Sequence, residues 1–232
     1  MSEIKLSIII PVLNSHEAVD KQMYYLVRLF EIFEPAEMPF EAIIVDDGSD
    51  PPIRIKMKCL ALRVIRTHDF RPWTQPRARN IGAMCSVGEM LAFVDIDHIV
   101  DDDLISEVYD FRGDRMDWRR IPARIGDIGN LKPAPGEERK PAAGIFAMRA
   151  EIYRKLGGFD ERFCGEYGFD DLDFLERFNK LVEAGEAKPS VTAKAPGYYW
   201  TGEDAPAFHD LSHEPSTRNV QILSEKANEP VS

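Results

Sequence analysis

The chain has little cysteine, a deficit of positive charge and no long apolar run. Of its 232 residues only three are cysteines, Cys59, Cys85 and Cys164. An odd number without Cys-x-x-Cys spacing argues against a disulfide framework or a zinc knuckle, and favours a reduced compartment. Basic residues number 29 against 40 acidic ones, a formal net charge of -11. That balance argues against a surface devoted to gripping a nucleic-acid backbone, so no nucleic-acid partner is expected. A nucleotide ligand remains compatible, because a bound divalent cation reverses the local sign of an acidic pocket. Residues Met1-Ser2-Glu3-Ile4-Lys5 lack a signal-peptide layout, and the apolar stretch after them is strand-length, far short of a membrane span. A soluble, cytoplasmic protein is expected, with peripheral membrane association left open. No internal repeat is found, and only the last few residues read as a loose tail.

What the chain does have is apolar sequence enough for a core, 44% of its residues, arranged in short strand-like runs that end in acids. Leu6 to Val12 is isoleucine-rich and closed by Pro11, as expected of a central strand covered on both faces. Apolar residues at helical spacing over Ala18 to Phe33 predict a helix that stops before Pro35. Ala42 to Val45 predicts a second strand, followed by the turn Asp46-Asp47-Gly48-Ser49-Asp50. Strand, helix, strand implies a parallel βαβ unit. A third strand is expected over Leu60 to Ile65, a helix over Pro76 to Cys85 and a strand over Met90 to Val94. From about Gly113 to Pro141 periodicity fades, and an irregular segment able to cover a substrate is expected. A strand over Ala143 to Met148, a short helix over Ala150 to Leu156 and a helix over Asp170 to Ala184 complete the reading.

The strand ends carry the chemistry. Leu91-Ala92-Phe93-Val94-Asp95-Ile96-Asp97 delivers two carboxylates to a strand tip, the edge where α/β sheets bind ligands. Such a pair repels itself unless a cation or proton donors offset it, and a hard ion such as Mg²⁺ or Mn²⁺ prefers oxygen ligands. Asp46 and Asp47 end the second strand, where a carboxylate can accept from the imide NH of a uracil ring or from ribose hydroxyls; taken alone, Asp-Asp-Gly-Ser is an ordinary turn. Asp101 to Asp103 read as a solvated helix start. Arg79, in Arg77-Ala78-Arg79-Asn80, opens a helix where it could face a phosphate or an acid. Asp170, Asp171 and Asp173 crowd one first helical turn, more acids than capping needs, and a carboxylate there suits a general base for a sugar hydroxyl. His209 and His213 lie four apart between Pro206 and Pro215 and could supply a further metal ligand.

In this order, Ser7-Ile8-Ile9-Ile10-Pro11-Val12-Leu13-Asn14, Val45-Asp46-Asp47-Gly48-Ser49, Ala78-Arg79-Asn80-Ile81-Gly82, Gly88-Glu89, Asp95-Ile96-Asp97, Gly157-Gly158-Phe159-Asp160-Glu161 and Asp170-Asp171-Leu172-Asp173 resemble the family 2 glycosyltransferases. The C-terminal part also resembles a galactosyltransferase-type acceptor region. The resemblance implies a single-domain α/β GT-A fold, a Rossmann-like mixed sheet flanked by helices. Within it, residues 1–112 would form the nucleotide-sugar half and residues 113–232 the acceptor-binding and catalytic half. It implies an inverting, Mn²⁺- or Mg²⁺-dependent transfer from a nucleotide diphosphate sugar, UDP-linked by resemblance, to a hydroxyl of a carbohydrate or glycoconjugate acceptor in polysaccharide or glycoconjugate synthesis. Pro11, Asn14 and Asp47 would line the nucleoside pocket, supported by Asp46 and Arg79. Asp95 would sit near ribose and metal, and Asp97 and His213 would bind the metal, with His209 as the fallback. Asp171 would be the general base, and Asp170, where the family usually has Glu, would contact the acceptor. Two rivals are a sugar-1-phosphate nucleotidyltransferase and a catalytically silent nucleotide-sugar-binding module. The first would need a basic triphosphate loop, but Pro11 to Glu17 holds no lysine or arginine; loss of Asp97 or Asp171 would have favoured the second.

Overall fold

The structure, a computed structural model, describes residues 4–33, 39–55, 61–99, 101–125, 131–133, 138–201, 214 and 216–227. Strand β1 (Leu6–Val12), helix α1 (His16–Ile32), strands β2 (Phe40–Asp46) and β3 (Leu62–Arg66), helix α2 (Gln75–Cys85) and strand β4 (Met90–Phe93) form the parallel unit that the apolar runs predict. All seven residues of β1 and of β2 are buried, which explains their continuous rather than alternating apolar sequence. Ile8 and Ile10 face α1 through Val19, Met23 and Leu26, whereas Ile9 faces the α2 side with Ile43, Val45 and Phe93. At that strength of burial a single Ile-to-Ala change would cost about 2–5 kcal/mol.

The chain then continues through β5 (His98–Ile99), α3 (Asp102–Asp110), β6 (Arg115–Asp117), β7 (Arg120–Ile125), β8 (Leu131–Pro133), β9 (Phe146–Arg149) and α4 (Ala150–Lys155). A 3₁₀ turn at Glu161–Phe163, α5 (Asp170–Glu183), β10 (Val191–Thr192), β11 (Gly197–Trp200) and α6 (Thr217–Ala227) follow. The main sheet has seven strands in the order β10-β6-β9-β4-β1-β2-β3, with β9 antiparallel to both β4 and β6. A second sheet runs β5-β11-β7-β8. The class is mixed α/β, and strands from both halves of the sequence share the main sheet.

Two sequence expectations change. The stretch from Gly113 to Pro141, expected to be irregular, contains β6, β7 and β8. β6 and β7 are short and charged because backbone pairing with β9 and β11 holds them, and because Arg115 is buried against Asp117 at 2.8 Å rather than replaced by an apolar residue. Helix α6, not foreseen, docks through Lys226, which pairs with Asp160 at 2.7 Å, and through Asn219, whose side chain donates to the carbonyls of Glu166 and Gly168. Asp101 does cap α3, its side chain accepting from the Leu104 N–H at 2.9 Å. No helix among the described residues is long and apolar enough to cross a membrane.

Candidate active site

The carboxyl ends of β1, β2 and β4 open into one cleft of about 710 Å³. That is ample for a nucleotide-sized ligand. Pro11, Asp47, Arg79, Asp95, Asp97, Asp170 and Asp171 all line it. Asn14 and Asp46 stand behind its wall. Asn14, at a positive φ of 49°, accepts from the Asp50 N–H at 2.8 Å and its own N–H donates to Ser49 at 2.9 Å, tying the two strand-end turns together. Asp46 is buried and accepts from the N–H groups of Ser49 and Ile53 at 2.9 and 3.1 Å. Its work is to shape the turn, and Gly48 completes it: φ is +90° and a Cβ would lie 2.1 Å from the Asp69 carbonyl oxygen. His213 and His209 lie outside the described residues.

That turn aims Asp47 into the cleft. Thr67 and Thr74 donate their hydroxyls to its two oxygens at 3.1 and 2.7 Å. Burial nevertheless pushes the carboxyl up to about 6, the threonine hydrogen bonds only partly opposing it. A group so placed changes charge in the physiological range. Trp73, the residue before Thr74, stacks at a tilt on Tyr167 across the cleft, with ring centroids 4.6 Å apart.

Arg79 joins the two acidic clusters. Its side chain is 3% exposed, with one terminal nitrogen 2.8 Å from Asp95 Oδ1 and the other 3.5 Å from Asp170 Oδ2. Burial works against its charge, but Asp95 and Asp170 outweigh that and hold the guanidinium above its ordinary value. Gln75 adds a second donor to Asp95 Oδ1 at 2.7 Å. Asp170 is itself pushed up to about 6, by burial and by the charges of Asp171 and Asp95, with Arg79 opposing. The acids of α5 thus divide. Asp170 faces Arg79, Asp171 accepts from the adjacent Leu172 N–H at 2.8 Å while lining the cleft, and Asp173 turns away into ion pairs with Arg177 and Lys226.

Asp97 is 44% exposed, and its Oδ1 meets the Nδ1 of buried His98 at 2.6 Å. Burial would raise its carboxyl, yet the hydrogen bond and charge of His98 hold it below the ordinary value. Backbone bonds fix this turn: His98 N–H donates to the Asp95 carbonyl at 2.9 Å and Trp200 N–H to the Asp97 carbonyl at 3.0 Å. The two aspartates form a hard-oxygen pair suited in chemistry to Mg²⁺ or Mn²⁺. Among the described residues no three His, Cys, Asp or Glu side chains converge as a complete metal set, so donors beyond this pair would have to fill the remaining positions. Sequence reasoning missed Thr67, Thr74, Gln75 and His98. Only His98 carried a signal, its place directly after Asp97.

The family model for Glycosyl transferase family 2 matches residues 7–156. The chain belongs to glycosyl transferase family 2. Among solved structures it is similar to S. aureus TarS 1–349 in complex with UDP, at 17% identity and a TM-score of 0.59, covering 85% of this chain and 61% of that one. The complex of TarS 1–349 with UDP-GlcNAc gives 16% identity and a TM-score of 0.60 over 90% and 60% of the two chains. The likeness is one of fold, and the architecture is the GT-A fold of this family. The chain spans about 60% of the length of TarS 1–349. No curated protein sequence matches it.

Proposed function

We propose that this family 2 chain is an inverting glycosyltransferase that moves a sugar from a nucleotide diphosphate donor, UDP-linked by preference, to a hydroxyl of a carbohydrate or glycoconjugate acceptor. The observation that carries the reading is the convergence of Asp47, the Asp95/Asp97 pair and Asp170/Asp171 in one cleft, with Arg79 bridging the last two groups. Pro11 and Asp47 bound the nucleoside side, with Asn14 and Asp46 supporting them. Residues 1–112 supply most of the donor side and residues 113–232 most of the acceptor side. Asp171 takes the proton from the attacking acceptor hydroxyl, and Asp170, held by Arg79, positions that acceptor. Asp95 and Asp97, with His213 as a third ligand, would hold Mn²⁺ or Mg²⁺, which when bound offsets charge on the departing diphosphate. Arg79 and Gln75 hold Asp95 in place. The UDP and UDP-GlcNAc complexes of TarS 1–349 lend support to the donor class.

The test is calorimetry and thermal unfolding with UDP, GDP and UDP-GlcNAc, each with and without manganese. Binding of at least one of them, strengthened by the metal, is the expected result. Absence of any nucleotide binding would sink the reading.

A further inference from the structure

The second sheet carries a pair of arginines, Arg120 and Arg139, at its bridge to residues 138–140. Arg120 and Arg139 form an isolated antiparallel bridge in which each backbone N–H donates to the other's carbonyl, at 2.9 and 2.7 Å. Residues paired this way sit directly opposite with both side chains on one face, and like charges there repel. Among the described residues, neither guanidinium has a carboxylate within salt-bridge distance. Arg120 Nε donates to the Lys140 carbonyl at 3.0 Å, and Arg139 lies over the Tyr199 ring at 4.2 Å. In a chain of net charge -11, carboxylates are plentiful, so two neighbouring arginines without one are unusual.

The sheet register says where this pair points. Tyr199 is opposite His98 in β5 and opposite Pro122 in β7, two residues from Arg120. His98, Tyr199, Arg120 and Arg139 therefore share one face of the small sheet, and His98 on that face holds Asp97. The electrostatics agree with the placement. Burial pushes the Arg120 guanidinium below its ordinary value and the charge of Arg139 pushes it further, whereas Asp97 and Asp95 are near enough to act in the opposite sense. The segment leaving Arg139 reaches the cleft wall at Ala142 and Gly144.

We propose that Arg120 and Arg139 form a phosphate-binding subsite beside the Asp95/Asp97 edge of the cleft. It rests on the glycosyltransferase reading for its ligand. Two planar forks side by side suit the non-bridging oxygens of a phosphate group, and an anion between them relieves their repulsion. The phosphate belongs either to the donor's diphosphate or to an anionic acceptor, and the chemistry of capture is the same.

Calorimetry in EDTA with UDP, uridine and glycerol 3-phosphate distinguishes the sources, using the wild type, R120Q, R139Q and the double variant, with R119Q as a control of equal charge change. Arg119 pairs with Glu138 at 3.0 Å. If the donor is the source, each substitution weakens UDP about 10-fold, leaves uridine unchanged and flattens the salt dependence, and R119Q does none of this. If the acceptor is the source, UDP is untouched and glycerol 3-phosphate binding is lost. Unchanged affinity for both phosphate ligands in R139Q, the more exposed and less structurally committed site, overturns the proposal even where R120Q folds poorly. Should the wild type bind neither uridine nor UDP in EDTA or with manganese, the glycosyltransferase reading fails, and inorganic phosphate titrated into wild type and double variant still decides for or against the pair.

Discussion

The main sheet and the small sheet meet at the same aspartates but are held together by different means. From β4 through β1 to β3 the strands are parallel, every residue of β1, β2 and β4 is buried, and α1 and α2 make two of the crossovers. The small sheet joins His98–Ile99 to Gly197–Trp200 and that strand in turn to Arg120–Ile125. Its contacts span up to a hundred residues, and its short strands mix aromatic side chains with arginine. A buried parallel scaffold therefore presents the acids, while the small sheet braces the turn between Asp95 and His98 from the other side. The lesson is that the position of Asp97 depends on both, and the two contributions can be separated by mutation.

The largest effect expected is on catalysis at the boundary between the regions. D171N should lower transfer about 10²–10⁴-fold while UDP affinity stays unchanged, measured by single-turnover kinetics beside calorimetry. Full transfer by D171N would remove Asp171 from the mechanism. Next comes the bridge itself. R79A leaves Asp95 and Asp170 facing each other without their shared cation, and a loss of about 3–5 kcal/mol in urea denaturation is expected. A loss below 1 kcal/mol would mean the two acidic clusters are held apart by packing alone.

Two glycines then compare the sheets directly. A Cβ at Gly82 would lie 2.4 Å from Ile9 Cγ2 and 3.1 Å from Val45 Cγ2, whereas one at Gly197 would lie 2.5 Å from the Trp118 ring. Each alanine substitution should cost about 1–3 kcal/mol through overpacking. G82A should also weaken uridine, because it displaces α2 and Thr74 from Asp47, and G197A should spare uridine. Equal loss of uridine in both would show that the sheets behave as one unit.

The smallest effect is that of pH on the nucleoside side. Asp47 titrates near 6 in the native state against an ordinary 3.8. The native state thus holds this proton more tightly than the unfolded chain does, so the group's contribution to stability declines as pH rises from about 4 to about 6 and is constant above. Its accepting form dominates only above that range. Uridine, which has no phosphate to titrate, should bind severalfold less tightly at pH 5 than at pH 8, and D47N should abolish the dependence. A flat profile in the wild type would place the ring away from Asp47.

Much of the main sheet was legible because burial on both faces writes itself into sequence as unbroken isoleucine, valine and leucine. β1 coincides with its apolar run, and β2 and β4 match theirs to within two residues at either end. The acids at those strand ends were legible too, since an abrupt change from apolar to charged marks where a strand leaves the core. β7 and β11 were not, because nothing within Arg120–Ile125 or Gly197–Trp200 specifies a partner seventy or more residues away. The site shows the same divide. Asp170, Asp171 and Asp173 look alike in sequence, and only the fold turns the third toward Arg177 and Lys226.

By itself, then, the sequence determined the α/β class, the strand tips and the acids they carry, because hydrophobic periodicity and turn chemistry act over a few residues. Tertiary structure decided which charged groups meet: Arg79 between Asp95 and Asp170, Lys226 between Asp160 and Asp173, and Arg120 beside Arg139. Those pairings are set by how distant segments pack and by what burial does to each charge, and neither is encoded in the neighbours along the chain.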